Sequence, residues 1–231
     1  MLVLFDIDLT LITTGGAGIR AMTRAGNLLF GPGFRAEGIS YAGRLDPLIM
    51  RDMLALSGVA AEESTLARFR RAYAAELPRE LSQGGCRALP GVGALLDAVE
   101  GEGTFTMGLL TGNFAETGQA KLRACAIDPD RFAIRAWGDE SPRRPESRDQ
   151  LPEVAMARHA ARLGRAADPL KVVIIGDTEH DVRCAKVNGC RCIGVGTGRT
   201  SADELSRAGA DLVLGDLSDT EGVLRALRSW A

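Results

Sequence analysis

Six short runs of apolar, often β-branched residues recur along the chain: "MLVLF" at its start, "TFTMGLL" (104–110), "RFAIRAW" (131–137), "KVVIIG" (171–176), "RCIGVG" (191–196) and "DLVLG" (211–215). Several are apolar throughout rather than alternating, which marks strands covered on both faces, and helical patterns separate them. Such alternation folds as an α/β domain, here a doubly wound, mainly parallel, Rossmann-like sheet. One interval breaks the rhythm. Residues 14–85 hold no convincing strand, only the helical stretches "AGIRAMTRAGNLLF", "DPLIMRDMLALSG" and "EESTLARFRRAYAAEL", punctuated by "GPG" and "GG". They read as an all-helical insertion after the first strand, leaving a core of residues 1–13 and 86–231.

The core resumes at "LPGVGALLDAVE", where Pro90 and Gly91 suit a helix start. The stretch "GDESPRRPESRDQLPE" is too rich in proline and charge for a helix interior, and a helix is expected to begin after it at "VAMARHAARLG" and stop at Gly164.

Charge limits the partners. A formal net charge of −2 with no long basic block lacks the footprint of a nucleic-acid binder, so a small molecule is the expected partner. No apolar run approaches the roughly 20 residues that cross a bilayer, and Asp6 interrupts the first run before a signal-peptide core could form. A cytoplasmic protein, monomeric or homodimeric, is expected, with its five cysteines reduced and mostly buried.

In open α/β sheets ligands bind beyond the carboxyl ends of the strands. Asp6 and Asp8 follow the first strand-like run, Thr111, Gly112 and Asn113 follow "MGLL", and Asp177 and Asp181 follow "VVIIG". A single aspartate in such a place serves most often as a helix cap or turn former. Several clusters converging on one edge repel one another unless a cation sits among them, and a hard divalent ion such as Mg²⁺ suits oxygen ligands. The same set suits phosphoryl transfer. Asp6 is placed to be the nucleophile and Asp8 to protonate the leaving oxygen and then activate water, while Thr111 and the amides of Gly112 and Asn113 hold the phosphoryl oxygens.

At this point the chain resembles a family. "DIDLT" is similar to the first signature of the haloacid dehalogenase (HAD) superfamily, the DxDxT phosphatases, "LLTGN" to the second and "IIGDTEHDVRCAKVNG" to the fourth, in the right order across nearly the whole chain. The helical insertion falls where that family's C1 caps sit, as in its phosphoglycolate phosphatases and β-phosphoglucomutases. The resemblance implies an enzyme, a HAD-type phosphatase that hydrolyses a small phosphomonoester through an aspartyl-phosphate, with residues 14–85 as the cap. It implies Asp6 as nucleophile and metal ligand, Asp8 as acid/base whose carbonyl also binds Mg²⁺, Thr111 on phosphate, Asp177 on the metal and Asp181 as a further or water-mediated ligand. Thr10 supports the loop rather than reacting.

The family's third signature, a lysine, is missing. Lys121, Lys171 and Lys186 are the only lysines and none lies in the loop before "LPEVAMARHAARLG". By spacing, Arg148 is the expected substitute and Arg144 the second candidate. In the insertion, "YAGRLDPLI" is expected to bring Arg44 to substrate, although a helix start at Asp46 and Pro47 explains those residues equally well. A phosphomutase or phosphotransferase of the same family shares these residues, and a phosphate-binding regulatory protein that has lost turnover along with its lysine is the alternative from another class. A 2-haloacid dehalogenase needs neither Mg²⁺ nor the second aspartate, so Asp8 argues against it.

Overall fold

A computed structural model describes residues 1–231. In chain order the elements are β1 (Leu2–Phe5), β2 (Ile12–Thr13), α1 (Ala17–Phe30), α2 (Asp46–Leu56), α3 (Glu63–Leu81), β3 (Arg87–Ala88), α4 (Val92–Gly101), β4 (Thr106–Leu110), α5 (Ala115–Ala124), β5 (Ile134–Ala136), α6 (Leu151–Leu163), β6 (Val172–Gly176), α7 (Glu179–Val187), β7 (Arg191–Val195), α8 (Ala202–Arg207), β8 (Leu212–Leu214) and α9 (Thr220–Trp230). Six strands form one parallel sheet in the order β5-β4-β1-β6-β7-β8. Each of the six apolar runs supplies one of them.

The pleat explains why those runs do not alternate. Val3, Phe5, Val173 and Ile175 point into a core closed by α4, α5 and α9, whereas Leu2, Leu4, Val172 and Ile174 point into a second one closed by α6, α7 and α8. Both faces of β1 and β6 must be apolar, so neither strand carries a polar side chain. Helices α1, α2 and α3 share a third core, built around Met53, Phe69, Tyr73 and Leu77 and joined by Phe114 from the loop after β4.

Two features differ from the sequence reading. Helix α6 begins at Leu151 rather than Val154, with Pro152 in its first turn, where the missing N–H needs no intrahelical partner. The pair β2 and β3 forms a two-residue antiparallel ribbon, Ile12 opposite Ala88 and Thr13 opposite Arg87. It ties together the points where the chain leaves for α1–α3 and returns, and it is too short to carry a periodic signal.

The order of the strands fixes where a site can form. The connection from β1 leads to β4 on one side, and that from β6 leads to β7 on the other, so their carboxyl ends bound the crevice where an α/β sheet reverses its winding. Phe5 is in register with Ile175, and the Asp6 amide donates to the Ile175 carbonyl at 2.9 Å. Asp6 and Asp177 therefore leave the sheet side by side.

His159 lies buried on α6 with Nδ1 lacking a partner. Burial, reinforced by nearby positive charges, lowers its pKa, so the unfolded chain takes up a proton first as pH falls below about 6.5. Folding stability is lost over that acid range. The variant His159→Leu is expected to flatten the fall in denaturant midpoint between pH 8 and pH 5.5 relative to the unmodified protein.

Candidate active site

The turn after β1 is wound tightly. The amides of Leu11 and Ile12 both donate to the Ile7 carbonyl, at 3.0 and 3.1 Å, and Leu9 adopts a left-handed φ of 59° that costs a non-glycine residue energy. This winding turns Asp6, Asp8 and Thr10 towards the ends of β4 and β6. Thr10 Oγ1 donates to Asp177 Oδ1 at 3.2 Å, a supporting contact as expected of it.

Asp6, Asp177 and Asp181 are all buried, each with a carboxylate oxygen within 4.8 Å of the others. Arg148 lies against them. Its Nη2 is 2.9 Å from Asp6 Oδ1 and 2.5 Å from Asp181 Oδ1, and also donates to the Leu110 carbonyl, while Nη1 donates to the Gly43 carbonyl, both at 3.3 Å. Asp181 is otherwise occupied, since its Oδ2 accepts from the Thr178 amide and hydroxyl at 3.1 and 2.7 Å. Asp6 Oδ2 and Asp177 Oδ2 receive no donor from the protein. Two unpartnered oxygens in a buried cluster of three carboxylates and one guanidinium fit a hard divalent cation.

The electrostatics follow from that crowding. Desolvation raises Asp6 to about 6 against the opposing pull of Arg148, and desolvation with the charges of Asp181 and Asp6 raises Asp177 to about 8. Arg148 is raised: burial opposes its charge, but Asp181 and Asp6 outweigh it.

A second group stands beside the first. Thr111 Oγ1 accepts from Asn113 Nδ2 at 2.8 Å, and that same nitrogen donates to Asp8 Oδ2 at 2.8 Å. Gly112 is a point of close approach: a Cβ there would lie 2.0 Å from the Arg44 carbonyl oxygen. The Asp46 amide donates to the Gly112 carbonyl at 2.8 Å, and Asp46 Oδ2 accepts from the Phe114 amide at 3.3 Å. Both groups open on one cleft of about 520 Å³, lined also by Arg44, Tyr41, Arg199 and Met22.

Most of the expected site residues thus meet. Arg144 does not. Its side chain is 71 % exposed, pairs with Glu146 and lies off the cleft, four residues ahead of the 3₁₀ turn (Arg148–Gln150) that tucks Arg148 under β4. Arg44 borders the cleft, but its guanidinium is engaged by Asp52 at 2.8 Å and by the Ser40 carbonyl at 2.8 Å.

Three residues of the cleft escaped the sequence reading. Lys121 is buried on α5, with Nζ 2.7 Å from Asp8 Oδ2. Burial opposes its charge, yet Asp8, Tyr73 and Asp46 raise its pKa. Tyr73 on α3 keeps its hydroxyl buried without a partner. Asp46 is more than a helix start, because desolvation raises it to about 7 at the seam between α2 and the loop after β4.

The HAD-hydrolase-like family model matches residues 151–220. The chain is 27 % identical over 226 residues to "Probable phosphatase IndB" of Dickeya dadantii (strain 3937), covering 98 % of this chain and 94 % of that protein. A hydrolase from Pseudomonas syringae shares the fold with a TM-score of 0.70 at 23 % identity, covering 97 % of each chain. A mutant of CbbY from Rhodobacter sphaeroides, in complex with xylulose-(1,5)bisphosphate, shares it with a TM-score of 0.73 at 20 % identity, covering 94 % of this chain and 95 % of that one. The resemblance read from the three signatures is borne out.

Raised carboxyl groups have a definite sign. A carboxylate whose folded pKa lies above its unfolded value contributes stability at low pH that is lost as pH rises, here from about 4 to about 8. In a metal chelator, Asp177→Asn is therefore expected to be more stable than the unmodified chain at pH 8, by on the order of 2 kcal/mol, and about equal at pH 4. Urea titrations at the two pH values measure the difference.

Proposed function

We propose that this chain, a HAD-like hydrolase, is a Mg²⁺-dependent phosphatase that cleaves a small phosphomonoester through an aspartyl-phosphate at Asp6. The observation that carries the reading is the convergence of Asp6, Asp177 and Asp181 on one buried point with Arg148 against Asp6. A lone nucleophilic carboxylate and a phosphate dianion repel each other, so attack requires positive charge placed in advance. Arg148 supplies part of it from the protein. Asp6 and Asp177 would hold the divalent cation, with Asp181 beside them, and the bound ion would neutralise charge on both anions.

Atoms balance over two steps. An Asp6 oxygen attacks phosphorus, the bond from phosphorus to the ester oxygen breaks, and Asp8 passes its proton to the departing alcohol. Asp8 then takes a proton from water as that water attacks the same phosphorus, which releases phosphate and restores the Asp6 carboxylate. The Thr111 hydroxyl and the amides of Gly112 and Asn113 suit the transferring oxygens, because they lie on the loop after β4 that lines the same cleft.

Residues 14–85, which carry α1–α3, are proposed to act as a cap over the cleft. The core they share, the short β2–β3 ribbon and the Asp46 contacts with the loop after β4 support this reading. A cap of this kind excludes water and selects the alcohol half of the substrate, with Arg44 and Tyr41 at the rim of the cleft.

A screen of phosphomonoesters with and without Mg²⁺ tests the function. Phosphate release that depends on the ion and falls by at least about 10³-fold in Asp6→Asn is expected. No turnover of any ester by the folded protein sinks the proposal. Arg148→Met is expected to lower kcat/KM by about 10²–10³-fold while Mg²⁺ still raises the melting temperature, which separates the arginine's part from that of the cation.

A further inference from the structure

Lys121 has no part in the mechanism above, yet it is buried in the wall of the cleft. Its Nζ donates to Asp8 Oδ2 at 2.7 Å and to Asn113 Oδ1 at 2.6 Å. Asn113 Nδ2 donates to the same Asp8 oxygen at 2.8 Å. Two donors therefore converge on Oδ2, and Oδ1 receives none from the protein. The Asp8 side chain stays 40 % exposed and lines the cleft.

The cavity around the ammonium is built from distant parts of the chain. A Cβ on Gly18 of α1 would lie 3.2 Å from Nζ and 3.5 Å from the Tyr73 hydroxyl of α3, so glycine leaves room for the lysine tip and helices of the insertion close over it. A compact ammonium with three rotatable donors suits this confined place better than a planar guanidinium.

We propose that Lys121 is a positioning residue for Asp8: together with Asn113 it clamps one carboxylate oxygen and thereby presents the other to the ester oxygen that leaves. This rests on the phosphatase reading. Arg148 stands at the nucleophile and Lys121 at the proton carrier, so basic charge is divided between two residues.

Leaving-group dependence separates this role from a structural one. Benzyl phosphate releases an alkoxide that needs a proton, whereas 4-nitrophenyl phosphate, of similar size, releases an anion that hardly does. Because kcat/KM reports phosphoryl transfer to Asp6 and not the later hydrolysis, Lys121→Met is expected to lose about 10²-fold on benzyl phosphate and no more than a few-fold on 4-nitrophenyl phosphate. Equal losses on both esters, or none on either, would overturn the assignment. Should the methionine variant not fold, Lys121→Gln keeps a donor in the same cavity and is expected to show the same preferential loss on a smaller scale; a loss without preference counts against the proposal equally. Unmodified protein that hydrolyses neither ester, nor any other phosphomonoester, with Mg²⁺ would instead overturn the phosphatase reading and this assignment with it.

Discussion

Three carboxylates buried within 4.8 Å of one another repel at close quarters, and the structure around them is organised to hold them there. Arg148 offsets part of the repulsion from the side of Asp6 and Asp181, and Thr10 fixes one oxygen of Asp177. A Cβ at Gly198 would fall 1.8 Å from the other Asp177 oxygen, so only glycine lets the segment after β7 lie this close to that carboxylate. What remains is two unpartnered oxygens. A fold selected for stability alone would have no use for them, since replacing buried charges by apolar side chains is often neutral or stabilising.

The position of this cluster follows from the sheet. Each of β1 and β6 is apolar on both faces, so neither can host a charge along its length, and the first residues free to carry one come just past the ends. Since the winding reverses between those two strands, their loops part and leave the crevice open. The helical insertion is attached at this same crevice. Gly112 lies against the backbone of Arg44, and Asp46 bonds back to the loop after β4, so the groups that would meet a phosphate and those that close over it share one seam.

How far the sequence disclosed this depends on the range of the interactions involved. The strands were legible because burial on both faces writes itself into consecutive residues, and Asp6, Asp8, Asp177 and Asp181 because they lie within a turn of a strand end. Arg148 was legible only by counting back from α6, and the same count offered Arg144, which the chain leaves in solvent. Lys121 was not legible as a site residue. On α5 alone it is a polar position among others; what makes it special is Asp8, which lies 113 residues away in sequence, and the space left by Gly18 and Tyr73 on two helices of the insertion. Asp46 was hidden for a related reason, since a helix start accounts for it locally and its partners Gly112 and Phe114 belong to the core.

The division of basic charge between Arg148 and Lys121 has a further physical consequence. A guanidinium engaged by Asp6, Asp181 and two carbonyls is held from several sides, whereas an ammonium on Asp8 meets a side chain that remains partly exposed. On the proposed roles, the guanidinium therefore holds the nucleophile from several sides, while the ammonium and Asn113 hold one oxygen of the proton carrier and leave the other without a protein donor. This matches what each would have to do: an attacking oxygen needs fixed geometry, while a residue that first gives a proton to one oxygen and then takes one from another needs one of its own oxygens kept free for both. Both cations are tied to the insertion, Lys121 through the space left by Gly18 and Tyr73 and Arg148 through the Gly43 carbonyl, so the position of the insertion bears on Asp8 and Asp6 alike.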